Sequence, residues 1–185
     1  MKDHSHSRFH QTIEINYEKM HNWKEHILFT WQWWVGVSLI VVLIALWIIF
    51  HKKESRHRLL YAGFFVAIIS SVFDSTGSFF GLWELKYEVL PISNSFVPRS
   101  LIILPIVAMF FLQIKPNIHP LIKAFLYAVF TSFVALPLFQ LIGFYHPIHW
   151  HYIYSFFIQF FIYLGAYALS RKTHFSSLFS EKKDA

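Results

Sequence analysis

The sequence contains no cysteine. That absence excludes disulfides, thiolate metal sites and cysteine nucleophiles, and leaves the redox compartment open. Charge is scarce too: Asp, Glu, Lys and Arg make up 14% of the 185 residues, against about a quarter in a soluble domain. There is no Walker loop, dinucleotide fingerprint, nucleophile elbow or zincin motif, so no enzyme class announces itself and no cofactor is expected. No internal repeat is visible, which argues against an inverted-repeat transporter. The first thirty residues are polar and histidine-rich, and the apolar block after them has no small-residue cleavage site behind it. The first apolar segment is therefore expected to remain in the mature protein.

What the chain has in excess is apolar and aromatic side chains, 56% and 21% of the residues, and they fall in blocks. Blocks of Phe, Ile and Leu are how lipid-facing helices are written. The formal charge of +6 does not point to nucleic acid, because the cations lie in short clusters beside the apolar runs. That placement is a topology signal rather than a phosphate-binding face.

Between Phe9 and Leu28, Phe9, Ile13, Tyr17, Met20, Trp23 and Ile27 recur at three- and four-residue steps among charged residues. The pattern predicts an amphipathic helix lying at a membrane interface, with a solvated arm docked on a partner as the alternative. Trp31–Phe50 is twenty residues without a charge, about 30 Å as a helix, with tryptophans near both ends. It stops at a segment holding Lys52, Lys53, Arg56 and Arg58 against the single acid Glu54. Further apolar segments run over Leu59–Leu82, Leu101–Ile114, Ile122–Phe144 (with Pro137 inside) and Tyr152–Leu169. The third stretch is short, so part of residues 91–100 is expected inside the membrane boundary. The expected fold is all-α: a polytopic membrane bundle of five transmembrane helices preceded by an interfacial helix. Its parts are an outer tail (1–30), a five-helix domain (31–170) and a cytoplasmic polar tail (171–185).

Orientation follows from Lys and Arg. With the amino terminus outside, the cytoplasmic segments hold Lys52, Lys53, Arg56, Arg58, Lys115, Lys123, Arg171, Lys172, Lys182 and Lys183. The two outer loops hold Lys86 and Arg99, and the outer tail holds four cations and four acids. The loop contrast predicts the amino end outside and the carboxyl end in the cytoplasm.

Asp74 is the most informative residue, fifteen positions beyond Leu59 in an otherwise apolar segment. A carboxylate there costs at least about 2.5–3.5 kcal/mol, so it must face a partner, water or a polar pocket. It reads equally as glue between helices or as a functional site. Ser78 and Gly81 continue a stripe of small residues that permits close helix approach. Glu84 lies ten residues on, about 15 Å along a continued helix, at the outer interface beside Trp83. Arg99, just after Pro98, is the natural partner for a carboxylate, and an Arg99–Glu84 pair is expected to close the outer ends of the second and third spans. A structural lock is preferred over a ligand clamp for that pair. His146, His149 and His151 cluster before the last span and could hold a metal or sense pH. Their spacing matches no established motif, and interfacial histidines beside Trp and Tyr are the commoner case, so no metal is assigned. Pro105, Pro137, Gln113, Gln140 and Gln159 read as packing features.

The block Asp74-Ser-Thr-Gly77 followed by Gly81-Leu-Trp83-Glu84, the proline-rich stretch Pro91–Pro105 and the late Trp150-His-Tyr-Ile-Tyr154-Ser-Phe carry a resemblance. From Trp31 to Ser170 the chain resembles a family of small, functionally uncharacterised multi-pass membrane proteins of endospore-forming Gram-positive bacteria. The resemblance implies a bacterial plasma membrane and no activity. The chain departs from the family at Leu85-Lys86, where Tyr-Pro is usual, and at Phe157, where proline is frequent.

Three functions follow as expectations. The first is binding of a membrane lipid, an apolar small molecule or a membrane protein partner near Asp74, Glu84, Arg99 and Trp83. The second is an intramembrane isomerase or cyclase with Asp74 as acid and Arg99 positioning an anionic head. The third is a small proton-coupled permease. The enzyme reading requires a ligand-sized pocket at Asp74.

Overall fold

In the computed structural model of the chain, the described residues are 2–91 and 99–171, the side chains of 2–6 and 8 excepted. The fold is an all-α bundle with one two-stranded ribbon. Its helices are α1 (Lys2–His26), α2 (Trp31–Phe50), α3 (Arg56–Phe79), α4 (Leu104–Gln113), α5 (Pro120–Val129), α6 (Leu136–Ile142) and α7 (Tyr152–Ser170). Strands β1 (Trp83–Leu85) and β2 (Tyr145–Pro147) pair antiparallel, with Glu84 opposite His146.

Four helical segments are long and apolar enough to cross a membrane: Trp31–Phe50, Lys53–Phe79, Pro120–Ile142 and Tyr152–Ser170. The fifth apolar helix, Arg99–Gln113, is shorter. Both of the helices with an internal proline open into a wide π turn just before it, at Arg99–Ile103 ahead of Pro105 and at Phe130–Ala135 ahead of Pro137. A proline ring collides with the carbonyl four residues back and offers it no N–H, so the helix relieves the clash by widening. The Leu136 N–H then reaches back five residues to the Thr131 carbonyl. Pro137 therefore does not interrupt the fourth apolar segment; the helix passes through it.

The core lies among α3, α4, α5 and α7. Ala62, Ala108, Ala124 and Ala166 are fully buried there, and such small residues let helix backbones come close. A methyl group on Gly165 would stand 2.8 Å from the Phe65 ring, and one on Gly63 would stand 2.8 Å from Met109 Sδ. Tyr127 and Tyr163 fill the centre with their rings 5.1 Å apart. Three of the five glutamines bridge separate segments. Gln113 joins Phe50 O and Lys52 N at the end of α2, Gln159 accepts from the Tyr127 hydroxyl at 3.3 Å, and Gln140 accepts from Tyr152.

Helix α2 touches this core through the partly buried Leu43 and Trp47. Its one buried residue is Gly36, which lies against Val89 and Phe144. Helix α1 begins earlier than its apolar stripe predicts and leaves half of that stripe exposed, with Phe9 and Tyr17 63% and 74% exposed. Near its end Lys19 and Trp23 meet the loop after β1. Of the polar carboxyl-terminal tail, all but Arg171 lies outside the described residues, as does Pro98.

Candidate functional site

The sequence suggests a continuous helix carrying Asp74 and Glu84, and the structure corrects this. Helix α3 ends at Phe79, Gly81 takes a positive φ of 66°, and the chain turns back on itself. That conformation costs an ordinary residue a steric clash that glycine, lacking a Cβ, avoids. Two residues later Trp83 folds over Gly77, where a Cβ would come within 2.0 Å of the indole ring. Trp83 is thus 6% exposed and packed inward, rather than standing at an interface. The same device recurs at the end of α6: Gly143 has φ 90°, and Tyr145, two residues on, is buried. The two reversals throw β1 and β2 side by side, and the Ile148 and His149 N–H groups both donate to Leu82 O at 3.0 Å.

The ribbon caps the polar residues at the end of α3. Asp74 Oδ1 lies 3.4 Å from Arg99 Nη1, with the side chains 4% and 11% exposed. The expected Arg99–Glu84 pair does not form. Glu84 points outward from β1, half-exposed, and pairs with Lys86 at 3.3 Å. The reason is the turn at Gly81, which carries Glu84 to the outer edge of the ribbon and leaves Asp74 as the carboxylate facing Arg99. Ser100, fully buried, hydrogen-bonds the Asp74 carboxyl. The Arg99 guanidinium also lies over the Tyr145 ring, 5.7 Å from its centre, a cation–π contact strengthened by desolvation. Burial pushes the Tyr145 phenol up to about 12, against the pull of Arg99, so it is neutral over the physiological range.

The pair is single-pronged rather than a fork-to-fork bridge. Asp74 Oδ2, Arg99 Nη1 and Trp83 Nε1 are buried without a hydrogen-bond partner among the described residues. The cavity bounded by Arg99, Thr131 and Gln159 has a volume of about 20 Å³. That is room for about one water molecule.

Other sequence candidates lie elsewhere. His146, His149 and His151 are exposed on and after β2, and His149 and His151 precede α7 rather than riding on it. Among the described residues no three His, Asp or Glu side chains gather in a metal-binding group. Sequence reasoning missed Lys123, which is buried and donates to Leu112 O at 3.1 Å, satisfying a carbonyl at the end of α4. It also missed Glu88, whose buried carboxylate holds Lys19 at 3.0 Å while its own carbonyl accepts from Trp23 Nε1 at 2.7 Å. Burial raises the Glu88 carboxyl above the usual range, and Lys19 offsets part of that rise. The order of the chain gives no periodic signal for such a contact, because its partners are sixty-nine residues apart.

A groove of about 280 Å³ opens between α2 and the α3–α4 pair. Ile44 lines it from α2; Leu60, Gly63, Phe64 and Ala67 from α3; and Leu101, Ile102, Pro105, Ile106 and Met109 from the other side. Every one of these side chains is apolar. Helix α2 is hydrogen-bonded to the rest of the bundle near its two ends, where Trp33 Nε1 donates to Val89 O at 3.2 Å and Gln113 bridges Phe50 and Lys52, and Leu43 and Trp47 pack against the core beside the groove.

No protein-family model matches the chain, and no curated protein or solved structure matches it significantly.

Proposed function

We propose that this is a multi-pass protein of a bacterial plasma membrane, crossing it five times with the amino terminus outside and the carboxyl terminus cytoplasmic. We further propose that it holds a membrane lipid in the groove between α2 and α3–α4. The resemblance to small multi-spanning proteins of endospore-forming Gram-positive bacteria belongs to the same proposal. The observation that carries the lipid reading is the groove itself, whose lining is wholly apolar. An apolar recess in a bundle surrounded by lipid has acyl chains as its most concentrated occupant. Asp74 and Arg99 act as the lock that holds α3 and α4 in place beside it, since breaking a buried pair is far more costly than keeping one.

This is favoured over an intramembrane isomerase or cyclase because the cavity that Arg99 lines has room for about one water, too small for a lipid-like substrate. The test is native mass spectrometry of the detergent-purified protein. Ile44→Trp, on the weakly packed helix, fills the groove without touching the core, and should cut retained phospholipid about tenfold at equal thermal stability, the scale of a lost apolar contact of about 1.4 kcal/mol. Equal lipid retention in variant and wild type removes the proposal.

A further inference from the structure

The groove is not central along the helices. Ile44 is six residues, about 9 Å, from the Phe50 end of α2, and thirteen residues, about 20 Å, from the Trp31 end. Leu60 is one turn, about 6 Å, from Arg56, whereas Ala67 is about 18 Å from the Phe79 end of α3. The groove therefore belongs to the half of the bundle that ends on the α2–α3 connection. That connection exposes Lys52, Lys53, Arg56 and Arg58 beside one acid, Glu54. At the opposite end Glu84 and Lys86 neutralise each other, and Lys19 is taken up by Glu88.

Resting on the lipid reading above, we infer that the groove selects an anionic phospholipid, with an acyl chain between Ile44 and Gly63 and the phosphate-bearing head against Lys52, Lys53 and Arg56. Two features make this more than a general attraction of basic residues for membranes. The chain-binding recess and the cations lie within one or two helical turns of each other, so one lipid molecule spans both. The end near the groove is also the one with unneutralised charge. Gln113, bridging Phe50 O and Lys52 N, ties the start of the connection to the end of α4. Each cation near a membrane surface adds attraction for an anionic head, and ammonium and guanidinium groups donate directly to phosphate oxygens.

The experiment uses the full chain in micelles containing equal phosphatidylglycerol and phosphatidylcholine, read by native mass spectrometry. Wild type should retain phosphatidylglycerol over phosphatidylcholine by about thirty- to a hundredfold, as expected for two or three cations facing one head. The triple variant Lys52→Gln, Lys53→Gln, Arg56→Gln should bind the same total lipid with the preference reduced to about equality. Lys86→Gln, at the other end, should leave the preference unchanged. No preference in wild type overturns the inference while sparing the groove, and so does a preference that survives the triple variant or disappears in Lys86→Gln. If Ile44→Trp leaves phosphatidylglycerol bound as in wild type, the lipid is held only at the surface, and the groove reading fails with it.

Discussion

Helix α2 and helix α3 make an instructive pair. Helix α2 is the most hydrophobic segment of the chain, without a charge, yet it buries only Gly36. Helix α3 carries Asp74, two adjacent serines and two glycines, and buries eight residues, more than any other helix. In hydrocarbon this inversion is expected. Lipid tails are as apolar as leucine, so an apolar helix gains little by leaving lipid for protein, whereas small and polar residues gain close packing and hydrogen bonds. Apolarity places a helix in the membrane, and the polar minority decides which neighbour it takes.

The comparison breaks most severely if the lock is opened. Arg99→Leu or Asp74→Leu alone should lose about 3–5 kcal/mol, because each leaves an uncompensated charge in the bundle. Reversible unfolding in mixed detergent–SDS micelles measures this. The double variant Asp74→Leu, Arg99→Leu should recover most of the loss; a double loss equal to the sum of the singles would mean the two side chains do not act on each other. Next comes Gly77→Ala, where a Cβ would overlap the Trp83 ring. Overpacking of this kind should cost about 1–3 kcal/mol and move the indole out of its site, which shows as a red-shifted tryptophan emission.

Gln113→Ala sharpens the contrast from the side of α2. It removes both bridges at the Phe50 end, and should cost about 0.5–1.5 kcal/mol per lost hydrogen bond without disturbing the core. The native chain lacks cysteine. Spin labels on single cysteines introduced at Phe50 and Ile114 therefore report a broadened distance distribution directly, and an unchanged distribution would show that the ends of α2 are held by something else.

The smallest effect concerns α1. The Glu88 carboxyl is raised in the folded state, so its neutral form is the one favoured there. The part of the fold's stability contributed by Glu88 should accordingly be fully present below the ordinary carboxylate value of 4.5 and weaken as pH rises through the raised value. Hydrogen exchange of the amides around Lys19 and Trp23, followed against pH, reads this. Glu88→Gln should abolish the pH dependence, and protection that rises with pH would contradict the sign.

Much of the bundle could be read from the order of residues. The span Trp31–Phe50 is reproduced to the residue, and the others shift by a few positions at their ends, because run length and charge are local properties that hydrocarbon selects directly. Asp74 and Arg99 were recognisable for the same reason, since a charge in an apolar run must be satisfied. Their pairing was not. It depends on Gly81 ending α3 and on Trp83 folding over Gly77, which removes Glu84 from reach and is invisible to a helical count that assumes the helix continues.

What the sequence alone determined, then, is the set of apolar helices, their cation-marked ends and the two residues that had to find partners. The tertiary structure decided who those partners are, why a ribbon covers them, and that a groove opens between α2 and the α3–α4 pair. Periodicity and composition act within one segment. Pairing between residues tens of positions apart is chosen by where turns such as those at Gly81 and Gly143 send the chain, and by which backbones are bare enough to let another side chain in.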